Sequence, residues 1–121
     1  MTEKFSIAEK FAAFAEHWRP RVVGEFSGQE LRVVKLQGEF PWHFHEDCDE
    51  LFIVWKGDFR VEFRDRIVRM QAGDALIVPR GIEHRTAADE GAEVLYIAPS
   101  GARNTGNVKD HVFTAPDGVR M

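Results

Sequence analysis

Two histidines set two residues apart, His43 and His45, are followed five positions later by Glu50. On an extended strand both imidazoles leave the same face and can converge on one ion. The odd spacing to Glu50 would place its carboxylate on the opposite face of a continuous strand. The intervening Glu46-Asp47-Cys48-Asp49 is rich in turn formers, so the spacing predicts a reversal there, with Glu50 opening the next strand. A third histidine, His84, follows the turn Pro79-Arg80-Gly81 and shares a face with Thr86. Taken singly, His43 or His45 reads as a strand-end histidine with ordinary hydrogen bonds. The stretch PWHFHEDCDELFIVWKG therefore admits three readings: a metal site, an acid–base pair, or a charged turn between apolar strands.

The elements that would position these residues follow from periodicity. Ile7, Phe11, Phe14 and Trp18 recur at helical spacing. Ser6 and Glu9 fit a capping box and Pro20 stops the run, which predicts a helix over the first twenty residues. Beyond Pro20 the period changes to two, with candidate strands at 21–26, 30–36, 50–56, 59–64, 66–70, 75–78 and 93–98, punctuated by Gly and Asp. Many short strands at near-regular spacing predict an all-β antiparallel barrel or sandwich. Within 50–56 both faces are apolar, Glu50, Phe52 and Val54 on one and Leu51, Ile53 and Trp55 on the other, so both are expected to be buried. From residue 99 the alternation gives way to turn formers, and an irregular tail is expected that packs through Val112 and Phe113. The expected organisation is a helix over 1–20, a barrel over 21–98 and a tail over 99–121, all one domain.

Composition narrows the function classes. A chain of 121 residues is long enough for one core. A net charge of −4 gives no electrostatic reason to expect nucleic acid. One cysteine cannot form an intrachain disulfide. Glu3, Glu9 and Lys10 interrupt any signal-peptide core, and no run approaches the roughly twenty apolar residues that span a bilayer. A cytoplasmic protein without membrane or nucleic-acid partners is the expectation.

Residues 38–57 and 73–84 resemble the two sequence motifs of the cupin superfamily. The first is Gly38, His43-x-His45, four residues, Glu50, six residues, Gly57. The second is Gly73, five residues, Pro79-x-Gly81, two residues, His84. Two departures, a gap from Gly38 to His43 one residue shorter than usual and Ala88 where the family often has Asn, bear on loop geometry. The resemblance implies a small antiparallel β-barrel or jelly roll with a short N-terminal helix. It also implies one divalent metal held by His43, His45, Glu50 and His84. Imidazole and carboxylate donors suit Fe, Mn, Ni, Co or Zn. Four protein ligands on a six-coordinate ion leave two positions open, as in a site built for Lewis-acid or redox work.

Other conspicuous residues read more plainly. Cys48 is expected to be an ordinary thiol in the turn, and Glu46, Asp47 and Asp49 a solvated turn. His17 and His111 are expected to be structural or exposed. Trp42, Phe44, Phe52, Trp55 and Tyr96 are expected to be core or interface aromatics, with Phe52 and Tyr96 candidates for the cavity wall. Arg32, Lys35 and Arg80 are possible anchors for an anion.

The family resemblance points first to a small metal-dependent enzyme acting on a small polar metabolite. Dioxygenase-like chemistry is favoured over isomerase, decarboxylase or lyase chemistry. The alternatives are a non-catalytic metal-dependent binding module and a mainly structural barrel. No segment after residue 98 reads as the DNA-binding helix of a regulator. A homodimer covering Leu51, Ile53 and Trp55 is expected.

Overall fold

The chain builds almost entirely antiparallel sheet, and the reason lies in its alternation. In the computed structural model, which describes residues 3–110, 113–115 and 119–121, one helix precedes seven strands. They are α1 (Ile7–Ala12), β1 (Arg21–Phe26), β2 (Gln29–Glu39), β3 (Glu50–Gly57), β4 (Phe59–Phe63), β5 (Ile67–Met70), β6 (Ala75–Val78) and β7 (His84–Pro99). The strand order is β1-β2-β7-β3-β6, with β4 joining β7 to β5. The sheet curls into a cupin-like sandwich without closing on itself.

Successive residues of the central strands face opposite sides, and both sides are covered. Val34, Phe52, Val54, Val61, Val94 and Tyr96 face inward to the main core, while Val33 and Leu95 face outward to a second cluster beneath Phe11. Burial of Phe11, which is 2% exposed, contributes about 2–3 kcal/mol. The expected capping contact forms, with Glu9 N–H donating to Ser6 Oγ at 3.1 Å.

The helix is shorter than expected. It ends at Ala12, and the chain beyond it is pinned to β2: Lys35 Nζ donates to Phe14 O at 2.6 Å and Trp18 N–H donates to Lys35 O at 2.9 Å. Continuing the helix would forfeit both contacts, so tertiary bonding overrides the helical period. Trp18 consequently leaves the stripe and packs against the main core instead.

Strand β7 differs from expectation in the other direction. It begins at His84 rather than at residue 93. Its N-terminal part pairs with β4, from Phe63↔His84 to Arg60↔Ala87, and its C-terminal part with β3. The polar Asp89-Glu90-Gly91 bulges where β2 jumps from Leu36↔Ala92 to Gly38↔Ala88, which bends the strand between its two partners. Gly57 meets this bulge so closely that a Cβ would lie 2.5 Å from Gly91 O.

A second register shift, between Val54 and Lys56, leaves Trp55 unpaired in β3. Glu50, Phe52 and Val54 are buried as expected, but Leu51 and Ile53 are only half-buried and Trp55 is 43% exposed. The expectation that both faces are buried is thus corrected. The bulge swings Trp55 out of the ladder, leaving only the helix segment over that face, with Phe11 stacked on Trp55 at 6.4 Å.

The tail after β7 is irregular yet anchored. Asn107 N–H donates to Phe44 O at 3.0 Å, and Phe44 N–H donates to Asn107 Oδ1 at 2.9 Å. Phe113 packs edge-on against Trp18 and Phe40 at 5.5 and 5.4 Å, as expected of it. Val112 and His111 lie outside the described residues.

Candidate metal centre

The site is assembled from three separate pieces of chain. His43 and His45 lie on an extended segment after β2 rather than within a strand, and a single antiparallel bridge joins His43 to His84 at the start of β7. Glu50 opens β3, beyond the acidic turn. A donor atom from each of His43, His45, Glu50 and His84 lies within 4.8 Å of the others, and all four residues are buried. The structure therefore brings together the whole set that the sequence singles out.

Their orientation is fixed by backbone carbonyls. His43 Nδ1 lies 2.8 Å from Pro41 O, and His84 Nδ1 lies 2.9 Å from Ile82 O. A carbonyl only accepts, so each Nδ1 carries the proton and donates it, leaving Nε2 as the lone-pair atom. This is the tautomer that metal ligation through Nε2 requires. Phe40 and Phe63 pack beside the rings of His43 and His84 at 5.4 and 6.4 Å.

Electrostatics sharpen the picture. Glu50 Oε1 sits 3.0 Å from His45 Nε2 and 3.5 Å from His84 Nε2. All three atoms are buried without a hydrogen-bond partner and gather within 4.8 Å of one another. Unpaired buried polar atoms cost roughly 1–3 kcal/mol each. Burial alone pushes the Glu50 carboxyl up, but the imidazoles of His45 and His84 more than offset this and hold it at about 2. Burial, reinforced by the neighbouring His84, pushes His43 down to about 4. Carboxylate and neutral imidazole are the protonation states that bind a divalent ion. The donor set and its three orphaned atoms fit one such ion.

The cluster opens into a narrow, largely apolar pocket with about 30 Å³ of space for water-sized groups. Phe52 and Tyr96 line it, as expected, together with Trp18, Phe40, Thr86 and Asn104. Sequence reasoning missed the last four. Trp18 carries the helical period, Phe40 and Thr86 lie outside the predicted strands, and Asn104 belongs to a tail without periodicity. Only the register partnership of Thr86 with His84 gave a signal.

The possible anion anchors turn elsewhere. Arg32 is buried and grips Glu30 through Nε and Nη2 at 3.0 and 2.7 Å, while its Nη1 donates to Tyr96 Oη and Ala102 O. Lys35 is held by Phe14 O and Glu93. Arg80 is exposed, and its backbone N–H donates to Asp49 Oδ1. Trp42 is half-buried, with the guanidinium of Arg64 3.8 Å and that of Arg85 5.0 Å from its ring centre. Cys48 is half-buried, and burial, together with the carboxylate of Glu50, pushes its thiol up, away from nucleophilic character. His17 is exposed.

An antiparallel sandwich carrying a buried three-histidine, one-carboxylate cluster at its open end is the architecture of a cupin. The cupin domain family model matches residues 31–98, and the chain belongs to this family. It is 36% identical over 81 residues to the uncharacterized protein YdbB of Bacillus subtilis, a match covering 66% of this chain and 66% of that protein. Among solved structures it resembles a cupin-2 domain-containing protein from Shewanella frigidimarina, at 40% identity and a TM-score of 0.78, over 78% of this chain and 93% of that one. It also resembles the hydroquinone 1,2-dioxygenase PnpCD, crystallised with Cd²⁺ and 4-hydroxybenzonitrile. There the TM-score is 0.70 over 97% of this chain and 77% of that one, at 20% identity, a likeness of fold alone. Among the described residues no helix is long and apolar enough to cross a membrane.

Proposed function

We propose that His43, His45, Glu50 and His84 bind one divalent transition metal, and that the protein is a metal-dependent enzyme acting on a small molecule. The observation that carries this reading is the trio of buried, unpartnered atoms His45 Nε2, Glu50 Oε1 and His84 Nε2, gathered within 4.8 Å of one another. A fold that leaves three such atoms unsatisfied is destabilised unless something satisfies them. A divalent ion bound there would supply Lewis-acid or redox chemistry at its open positions.

The chain's own residues do the rest. Pro41 O and Ile82 O hold the two imidazoles in the binding tautomer, and Phe40, Phe52 and Trp18 exclude bulk water from one side. The pocket against His43 and Glu50 is narrow, while a roomier polar cavity of about 390 Å³ borders His45 and includes Arg103 and Asn107. The reading we favour is dioxygenase-like chemistry, with isomerase or lyase chemistry at the same ion as its alternatives. Burial pushes the Tyr96 hydroxyl on the pocket wall up to about 12, so at neutral pH it stays protonated and can donate but not act as a base. The second reading, a metal-dependent binding module without turnover, shares the site and differs only in the absence of product.

Purified protein is stripped with chelator, dialysed against Fe²⁺, Mn²⁺, Co²⁺, Ni²⁺ or Zn²⁺, and its metal content measured. Close to one ion per chain is expected with at least one of them, and oxygen uptake with a panel of small oxygenated substrates tests the enzymatic branch. Trace content after every dialysis overturns the metal reading. Full content without oxygen uptake or any product favours the binding module.

A further inference from the structure

The polar cavity beside His45 has the size of a small-molecule site, about 390 Å³. Its far wall comes from the tail after β7, through Ser100, Arg103 and Asn107. That tail is fixed to the metal-ligating segment. Asn107 and Phe44 exchange two hydrogen bonds, and Phe44 is the residue between His43 and His45. Gly106 N–H donates to Arg103 O at 3.0 Å and closes a tight turn, so the position of Arg103 is set relative to His45.

Three hydrogen-bond donors border this cavity without a protein acceptor. Arg103 is half-buried and uses only Nη1, which donates to Gly106 O at 3.2 Å. Among the described residues no carboxylate pairs with its guanidinium. Asn107 spends Oδ1 on Phe44 N–H, which leaves its Nδ2 amide to donate. His45 differs from the other two imidazoles. Pro41 O and Ile82 O take the Nδ1 protons of His43 and His84, whereas no described residue accepts from His45 Nδ1. That nitrogen is not one of the buried unpartnered atoms either. An imidazole that ligates through Nε2 carries its proton on Nδ1 and ordinarily donates it to an acceptor.

The acids in the same cavity do not fill this role. Glu46 and Asp47 border it but are exposed, and neither pairs with Arg103. Their charges stay solvated, while the planar fork of Arg103 keeps donors matched to the two oxygens of a carboxylate. Arg32, Lys35 and Arg80, the anchors suggested by sequence, are absent from this wall, and Arg103 takes their place.

Resting on the metal-centre reading, we infer that this cavity is the substrate chamber, and that it takes a small polar molecule whose carboxylate is anchored by Arg103, with Asn107 Nδ2 and His45 Nδ1 donating beside it. The small polar metabolite expected from sequence is thereby narrowed to a carboxylic acid.

Lactate and lactamide share a polar body and differ in the charge of the head. Cobalt-loaded protein is titrated with each by calorimetry at low ionic strength, and cobalt content is measured for every variant. Lactate is expected to bind about tenfold more tightly than lactamide or better, as charge-assisted hydrogen bonds allow. Arg103→Gln is expected to remove most of that preference while cobalt content and lactamide affinity persist, and Arg103→Lys to restore part of it. Equal affinities for the two probes in the unaltered protein overturn the inference and leave the metal centre standing. Arg103→Gln protein that folds, binds cobalt and keeps the full preference places the carboxylate elsewhere and overturns the anchor. Failure to take up cobalt or any other divalent metal overturns both readings.

Discussion

His43 and His84 lie directly opposite one another across an antiparallel bridge, each N–H donating to the other's carbonyl at 2.9 Å. Their side chains repeat the same local device, Nδ1 bonded to the carbonyl two residues earlier. Two ligands 41 positions apart in sequence thus share one backbone frame. The frame tolerates loss of either side chain, because the bridge uses only main-chain atoms.

His84→Ala is therefore expected to fold and to lose metal. Removing one of four ligands should weaken affinity by about 100-fold or more, beyond the tenfold to hundredfold effects seen for groups one step removed from the ion. Equilibrium dialysis with metal analysis, alongside a thermal melt of the metal-free protein, checks both halves.

Metal-free protein should lose stability on acidification in two stages. His43 titrates at about 4 when folded, below the 6.5 of a free histidine, so the unfolded chain binds more protons between those values. Its stabilising effect is complete above about pH 6.5 and is lost as pH falls towards 4, a change of roughly 3 kcal/mol. Glu50 is held near 2 against an ordinary 4.5, so its contribution is present above pH 4.5 and disappears below that. Denaturant midpoints in chelator from pH 3 to 8 should rise most steeply between 4 and 6.5, and His43→Leu should flatten that segment.

Gly106→Ala should detach the tail from the site. A Cβ there would collide with Phe44 O and meet His43 Cδ2 at 3.1 Å, and the residue stands at φ 57°. A loss of about 1–3 kcal/mol is expected from backbone strain and displacement. Faster amide exchange at Phe44 and Asn107, whose N–H groups lie in the reciprocal bonds, would locate the damage.

Arg32→Met should destabilise the fold without altering metal content. It leaves the carboxylate of Glu30, 1% exposed, with only Ser100 and Arg120 as partners. Breaking a buried pair on one side costs about 3–5 kcal/mol, and the partial replacement by Arg120 puts the expected loss at the lower end. The double variant Glu30→Gln with Arg32→Met should recover part of the loss. Unchanged cobalt uptake would place Arg32 in the scaffold.

The outer face of β3 and β6 leaves Trp55 43% and Ile77 62% exposed. We propose that a second copy of the chain covers it. Light scattering should give twice the monomer mass, and Trp55→Asp with Ile77→Lys should halve it while metal binding persists.

How much of this was legible in the sequence varies with the physics that sets each feature. Alternation predicts six of the seven strands to within three residues at each end, because it reports directly on a two-sided sheet. Strand β7 was cut short because its first half is polar and bulged, and its pairing with β4 is made by backbone bonds that leave no hydrophobic pattern. The helix was overextended because Phe14 and Trp18 keep a helical period while their contacts lie with Lys35 and Phe40.

The sequence by itself determined the strand alternation, the family membership written in its glycine, proline and histidine spacings, and which four side chains have metal-binding chemistry. Those depend on residue type and short-range spacing, which a linear chain carries in full. Only the tertiary structure decided that His45, Glu50 and His84 end in unpaired buried atoms gathered within 4.8 Å of one another, that Arg32 belongs to Glu30, and that Trp18 walls the pocket. Each of those depends on where distant segments meet and on which polar groups remain unsatisfied once they do.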